Sequence, residues 1–132
     1  MKNKDEYPRK ISDLILRCKK VIANEWESLT FVFDLGEGHI ANSGFLYNGD
    51  RVRPVTARIS EDPMLLSDTI REFRAAVEGD CGEKFKQLLV QMEKKSGRFR
   101  IDFEFDDGQR WRVIPSGGKT LKEIREDLKP SL

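Results

Sequence analysis

Apolar and charged residues alternate along one segment of this chain, Gly97-Arg98-Phe99-Arg100-Ile101-Asp102-Phe103-Glu104-Phe105-Asp106-Asp107-Gly108, and this alternation is the clearest indication of the fold. A period of two residues is typical of a β-strand with one buried face. That phase predicts four side chains in a helix-covered core beside Phe31 and Phe33, namely Phe99, Ile101, Phe103 and Phe105. The opposite face carries two arginines and then carboxylates, and Asp107-Gly108 has the residues of a tight turn. The segment therefore indicates a sheet with a charged face suited to binding.

Helices and further strands are predicted before this segment. Apolar residues from Ile11 to Ile22 follow a helical spacing, and the stripe includes Cys18. Three strands follow, with turns at Gly36-Glu37-Gly38 and Asn48-Gly49. The third of these strands is Arg51–Val55, and its Pro54 favours an edge position because proline has no N–H to donate.

A second amphipathic stripe begins after Asp62-Pro63 and continues, as one helix or two, through Phe85, Leu88, Leu89 and Met92 to Lys95. After the alternating strand, Gln109–Ile114 is predicted to pair back as a fifth strand. Thr120 and Glu123 form a capping box for a last helix that turns Leu121, Ile124 and Leu128 inward. The predicted order is α-β-β-β-α(α)-β-β-α. It indicates one α+β domain over residues 1–132, with a mainly antiparallel five-stranded sheet and helices packed on it.

Composition excludes several classes of protein. The 132 residues include 24 basic and 23 acidic side chains, for a net charge of +1, so a whole-chain basic field for nucleic acid is absent. No apolar run reaches the ~20 residues of a membrane span, and the basic N-terminus has no apolar signal region. Cys18 and Cys81 are too few for a disulfide framework. We therefore expect a cytoplasmic protein with two free thiols, bound to no membrane and to no nucleic acid directly.

The residues that carry chemistry in enzymes do not form a recognisable set. His39 is the single histidine, whereas a zinc site or a Ser-His-Asp arrangement needs several partners at defined spacing. Gly118-Lys119-Thr120 resembles the end of a phosphate-binding loop, but Val113 stands where that loop needs a glycine. We expect no enzymatic activity, no cofactor and no metal.

The carboxylates after Ile101 are the candidate partner-binding residues. They are Asp102, Glu104, Asp106 and Asp107, with Trp111 as an aromatic anchor on the paired strand. A metal site or an acid–base pair is a weaker interpretation, because residues i and i+2 of a strand lie about 6.5–7 Å apart. Simple solvation of this face stays open as the alternative.

Three motifs in order resemble the YezG-like immunity (antitoxin) family of bacterial polymorphic toxin systems. Ile22–Phe31, with its Trp26-Glu27 pair, is similar to the family's junction between helix and first strand. Gly36-Glu37-Gly38 followed by Ser43-Gly44-Phe45-Leu46-Tyr47 resembles its glycine-rich hairpin, and Gly97–Asp106 resembles its most recognisable strand. The resemblance covers residues 10–115.

The resemblance implies an immunity protein that neutralises the C-terminal toxic domain, often a nuclease, of a cognate secreted toxin. Neutralisation would be stoichiometric, by binding over the active site or beside it. The resemblance carries no contact residues with it, so the candidate residues above rest on charge and strand phase. Two alternatives stay open. One is an interaction or adaptor module without a toxin, and the other is an enzyme or nucleic-acid binder that uses the basic first helix.

Overall fold

Five antiparallel strands form one open sheet in a computed structural model, which describes residues 4–36, 39–59, 62–108, 110–111 and 120–132. The strands are β1 (Ser28–Gly36), β2 (His39–Asn48), β3 (Arg51–Val55), β4 (Gln87–Glu93) and β5 (Phe99–Glu104), in the spatial order β3-β2-β1-β4-β5. The helices in the described part are α1 (Tyr7–Ile15), α2 (Lys19–Ile22), α3 (Leu65–Cys81) and α4 (Leu121–Asp127). A 3₁₀ turn over Lys4–Glu6 precedes α1. The predicted α+β class and element order are confirmed.

The larger core lies on the face of the sheet that α1 and α3 cover. Phe31 and Phe33 of β1 are fully buried there, in the core that also contains residues of α1, α3 and β4. Ile101 and Phe103 of β5, and Phe105 after it, pack against this core as half-buried side chains. The predicted phase of the alternating strand is therefore confirmed. Phe99 departs from the prediction, since it lies at the start of β5 and stays 42% exposed.

The prediction of helix from Phe85 to Lys95 is wrong, because this stretch contains the strand β4. Helix α3 passes through Gly79 and ends at Cys81, and Gly82 caps it with a left-handed φ of +81°. Residues 87–92 are all buried, since β4 lies inside the sheet with covered faces on both sides. A strand buried on both faces shows no alternation, which explains why Leu88, Leu89 and Met92 match a helical spacing instead.

The first predicted helix is divided in two. Cys18 adopts an extended backbone, with φ −64° and ψ 138°, between α1 and α2. Cys18 and Val21 are buried as predicted, but Ile22 is 70% exposed. The Asn24 side chain donates to the Lys20 carbonyl at 2.7 Å and so marks the end of α2.

Helix α4 covers the second face of the sheet. Its predicted capping box is present, with the Thr120 hydroxyl accepting from the Glu123 N–H. Ile124 and Leu128 are buried in a second cluster with Val32, Phe45, Tyr47 and Leu89, whereas Leu121 is 36% exposed against the prediction. Three sheet side chains also hold carbonyls near the end of this helix: Thr30 and Gln91 donate to that of Leu128, and the Tyr47 hydroxyl donates to that of Arg125.

The predicted turns have different outcomes. The hairpin predicted at Asn48-Gly49 is present, but Asn48 is the last residue of β2 and pairs with Arg51, so Gly49, at φ +60°, and Asp50 form the turn. Pro54 lies in an edge strand, as predicted. Residues 37 and 38 of the Gly36–Gly38 turn lie outside the described residues. Arg110 and Trp111 form a turn instead of part of the predicted fifth strand, and the rest of Gln109–Ile114 also lies outside the described residues. Within the described ranges, no helix has the length and apolar character needed to cross a membrane.

Candidate binding surface at the last strand

The predicted binding residues lie along β5 and the turn that follows it. Asp102 is opposite Leu89 and Glu104 is opposite Gln87 in the pairing with β4. Both carboxylates therefore belong to the second face of the sheet, which α4 covers over β1, β2 and β4. The helix-covered core with the phenylalanines lies on the other side of the strand.

Asp102 forms an ion pair within its own strand. Its carboxylate lies 2.8 Å from the Arg100 guanidinium, and the two side chains are 36% and 58% exposed. A pair this exposed contributes little to stability, about 0–1 kcal/mol. Both charges thus remain near the surface, where a partner can reach them.

Glu104 organises the turn after β5. Its Oε2 accepts hydrogen bonds from the N–H groups of Asp106, at 2.9 Å, and Asp107, at 3.1 Å, and its Oε1 accepts from Arg110 at 3.0 Å. These bonds, first the backbone N–H of Asp106, then that of Asp107 and then Arg110, lower the pKa of Glu104 from 4.5 to about 2. The side chain is only 13% exposed. Glu104 therefore builds the turn and presents little of itself to solvent.

Asp106 and Asp107 are the exposed carboxylates of the turn. Their backbone N–H groups are fixed by Glu104, and the Asp106 carbonyl accepts a hydrogen bond from Lys86 Nζ at 2.9 Å. Cations therefore border the acidic segment on several sides, from Arg100, Arg110 and Lys86. The surface is one of mixed charge held in a defined shape, rather than a uniformly acidic patch.

Trp111 is tied to the same region through the buried side chain of Gln87. The backbone N–H of Trp111 donates to Gln87 Oε1 at 2.9 Å, and Gln87 Nε2 in turn donates to Asp34 Oδ1. The half-buried indole packs against the cluster under α4, and the Arg110 guanidinium lies 5.0 Å from the centre of its ring. Since Gln87 is opposite Glu104, the structure brings all five predicted residues to one end of β5.

Sequence reasoning missed the residues that support this surface. The apolar spacing assigns Gln87 to a helix. Lys86 and Arg110 lie in segments that contact the turn after β5, and no local sequence pattern indicates those contacts. A cavity of about 360 Å³ on the opposite side of β5 was also missed. It is lined by the aromatic side chains of Phe73, Phe103 and Phe105 together with Pro8, Val77, Cys81 and two acidic residues, Asp5 and Asp80.

The remaining candidates for chemistry are dispersed. In the part of the chain that the structure describes, no group of three or more His, Cys, Asp or Glu residues is arranged to hold a metal ion. Both cysteines are free thiols; Cys18 is buried, which raises its pKa to about 11, and Cys81 is exposed. His39 begins β2.

No family model matches the chain, and no curated protein matches it.

Proposed function

We propose that this chain is an immunity protein that acts in the cytoplasm by binding the toxic domain of a cognate secreted toxin, such as a nuclease. The three sequence motifs described above, in their order along the chain, support the proposal. The structural observation that supports a contact site is the exposed turn at Asp106 and Asp107, whose backbone N–H groups are fixed by Glu104.

Such a turn has the physical properties that a rapid, stoichiometric inhibitor needs. Two carboxylates that project from a preorganised backbone lose little conformational freedom on binding. A nuclease presents basic residues to its substrate, and opposite charges across an interface accelerate association. The half-buried indole of Trp111 supplies an apolar contact beside the charges.

The mixed charge of the surface bears on which residues should be tested. Glu104 is a poor choice for substitution because it holds the turn, and Asp102 already has a partner in Arg100. Asp106 and Asp107 are both exposed, so reversing their charges leaves the buried core untouched.

The test measures binding of the toxic domain encoded beside this protein. With Asp106→Lys and Asp107→Lys combined, we expect the association rate at low salt to fall about tenfold, because the steering charges are reversed. The matched control is Glu25→Lys with Glu72→Lys, which makes the same change in net charge on two exposed residues. An unchanged rate in the first variant would remove the turn from the contact. Failure of the natural protein to bind or protect against that domain would contradict the immunity function and favour an adaptor module.

A further inference from the structure

The outer side of β5 is an unpaired sheet edge within the described residues. β5 is the last strand in the sheet order and pairs with β4 alone. The Glu93 N–H donates to the Arg98 carbonyl at 2.9 Å, which fixes the alternation of the ladder. Arg98, Arg100, Asp102 and Glu104 therefore direct their backbone groups to β4, and the residues between them direct theirs outward. The outward backbone groups are those of Phe99, Ile101 and Phe103.

The side chains of this strand are arranged symmetrically about Ile101. On one face, two basic residues precede it and two acidic residues follow it, in the order Arg98, Arg100, Asp102 and Glu104. On the other face, Phe99 and Phe103 stand at equal distances from it. A second copy of the strand, antiparallel to the first and centred on the same residue, would place Arg100 opposite Asp102 and Phe99 opposite Phe103.

We propose that β5 pairs with β5 of a second copy of this chain, in the register that places Ile101 opposite Ile101. The inference is independent of the immunity function. In this register the outward backbone groups of each strand meet those of the other, so that the two sheets become one across a twofold axis.

Charge selects this register over its neighbours. A slip by two residues in one direction places Arg100 opposite Arg100, and a slip in the other places Asp102 opposite Asp102. Like charges directly opposite each other destabilise a sheet, whereas opposite charges stabilise it. A parallel arrangement in register also places arginine beside arginine. Only the register centred on Ile101 gives every charged residue a partner of opposite sign.

The exposed groups of the strand fit the same arrangement. Phe99 is 42% exposed in the single chain and would pack against the half-buried Phe103 of the second copy. Arg100 already contacts Asp102 of its own strand at 2.8 Å. In the dimer, the Arg100–Asp102 ion pairs of the two strands would lie side by side, so that four charges of alternating sign form a closed ring.

Disulfide trapping tests the pairing and its register. In a Cys81→Ser background, Ile101→Cys should form a covalent dimer under mild oxidation, because opposite residues of a hydrogen-bonded pair have Cα atoms about 5.5 Å apart, within disulfide range. The matched control is Phe99→Cys, whose two copies would lie four residues apart along the strands, about 13 Å. Light scattering on the natural protein should show a mass that rises from monomer to dimer with concentration. A monomer mass up to millimolar concentration, or equal trapping at positions 99 and 101, would overturn the proposal.

Discussion

The two edge strands of the sheet, β3 and β5, differ in how readily their unpaired backbone groups can accept another strand. β3 carries Pro54, which has no N–H to offer, and two exposed arginines at positions 51 and 53. Any antiparallel pairing of β3 with itself that brings these arginines together is repulsive, so this edge is protected by proline and by like charge. β5 has no proline, and its charges change sign at the middle of the strand. Charge pattern, and not charge content, therefore decides whether an edge strand accepts a second copy.

The surroundings of the two edges extend the contrast. Beside β3 lies a cavity of about 400 Å³, bordered by Lys20 and Arg125, so basic groups accumulate at that edge. The Arg125 guanidinium lies 5.6 Å from the centre of the Phe45 ring. At the β5 edge, basic and acidic groups alternate and contact each other, as in the pairs Arg100–Asp102 and Arg110–Glu104.

The largest effect we expect is on the free energy of unfolding when proline is introduced into β5. The loss should depend on whether the N–H that proline removes faces β4 or faces outward. Arg100→Pro removes an N–H that faces β4, so we expect a loss of about 1–3 kcal/mol in the free energy of unfolding. Phe99→Pro places proline at the first residue of the edge strand, where its N–H faces outward. It should change stability by less than about 1 kcal/mol while it removes self-association. Urea unfolding followed by circular dichroism measures the first effect, and light scattering measures the second. Equal destabilisation by both variants would contradict the assigned alternation.

The turn after β5 should show a smaller, pH-dependent effect. The pKa of Glu104 is lowered to about 2, so its ionised form stabilises the native state at pH values above its ordinary pKa of 4.5. That contribution decreases as the pH falls below 4.5 and is lost below about 2. Glu104→Gln should therefore be less stable than the natural protein at about pH 6, with a difference that narrows towards about pH 2. A difference that stays constant over this range would show that the carboxylate does not hold the turn.

The sequence predicted those parts of the fold whose signal is local. The alternation in β5 assigned Phe103 and Asp102 to the correct faces, and the capping box at Thr120 located the start of α4. β4 could not be recognised, because helices on both sides of the sheet bury both of its faces and remove the period of two. The break at Cys18 was missed for a different reason, since the apolar spacing continues across it while the backbone does not.

The candidate surface was predictable in its residues but not in their roles. Alternation alone placed Asp102 and Glu104 together on one face. It could not show that Glu104 accepts hydrogen bonds from the turn, because that depends on the path of the chain after β5. The support of Trp111 by Gln87 is a contact across strands, and no local pattern carries such information.

In the proposed dimer the charges of β5 complement those of β5 in the second copy, and charge exchange between two variants tests this complementarity. Arg100→Glu and Asp102→Lys each place like charges opposite each other in a pair of identical chains, so each variant alone should associate at least about tenfold more weakly than the natural protein. Both lose the same pair within the chain, Arg100–Asp102, so they are matched in that respect. Mixed in equal amounts, the two variants should recover the affinity of the natural protein in sedimentation velocity measurements. In the mixed pair, the introduced glutamate of one chain faces the introduced lysine of the other, and the unchanged Asp102 faces the unchanged Arg100. A mixture that stays as weakly associated as its components would contradict the claim.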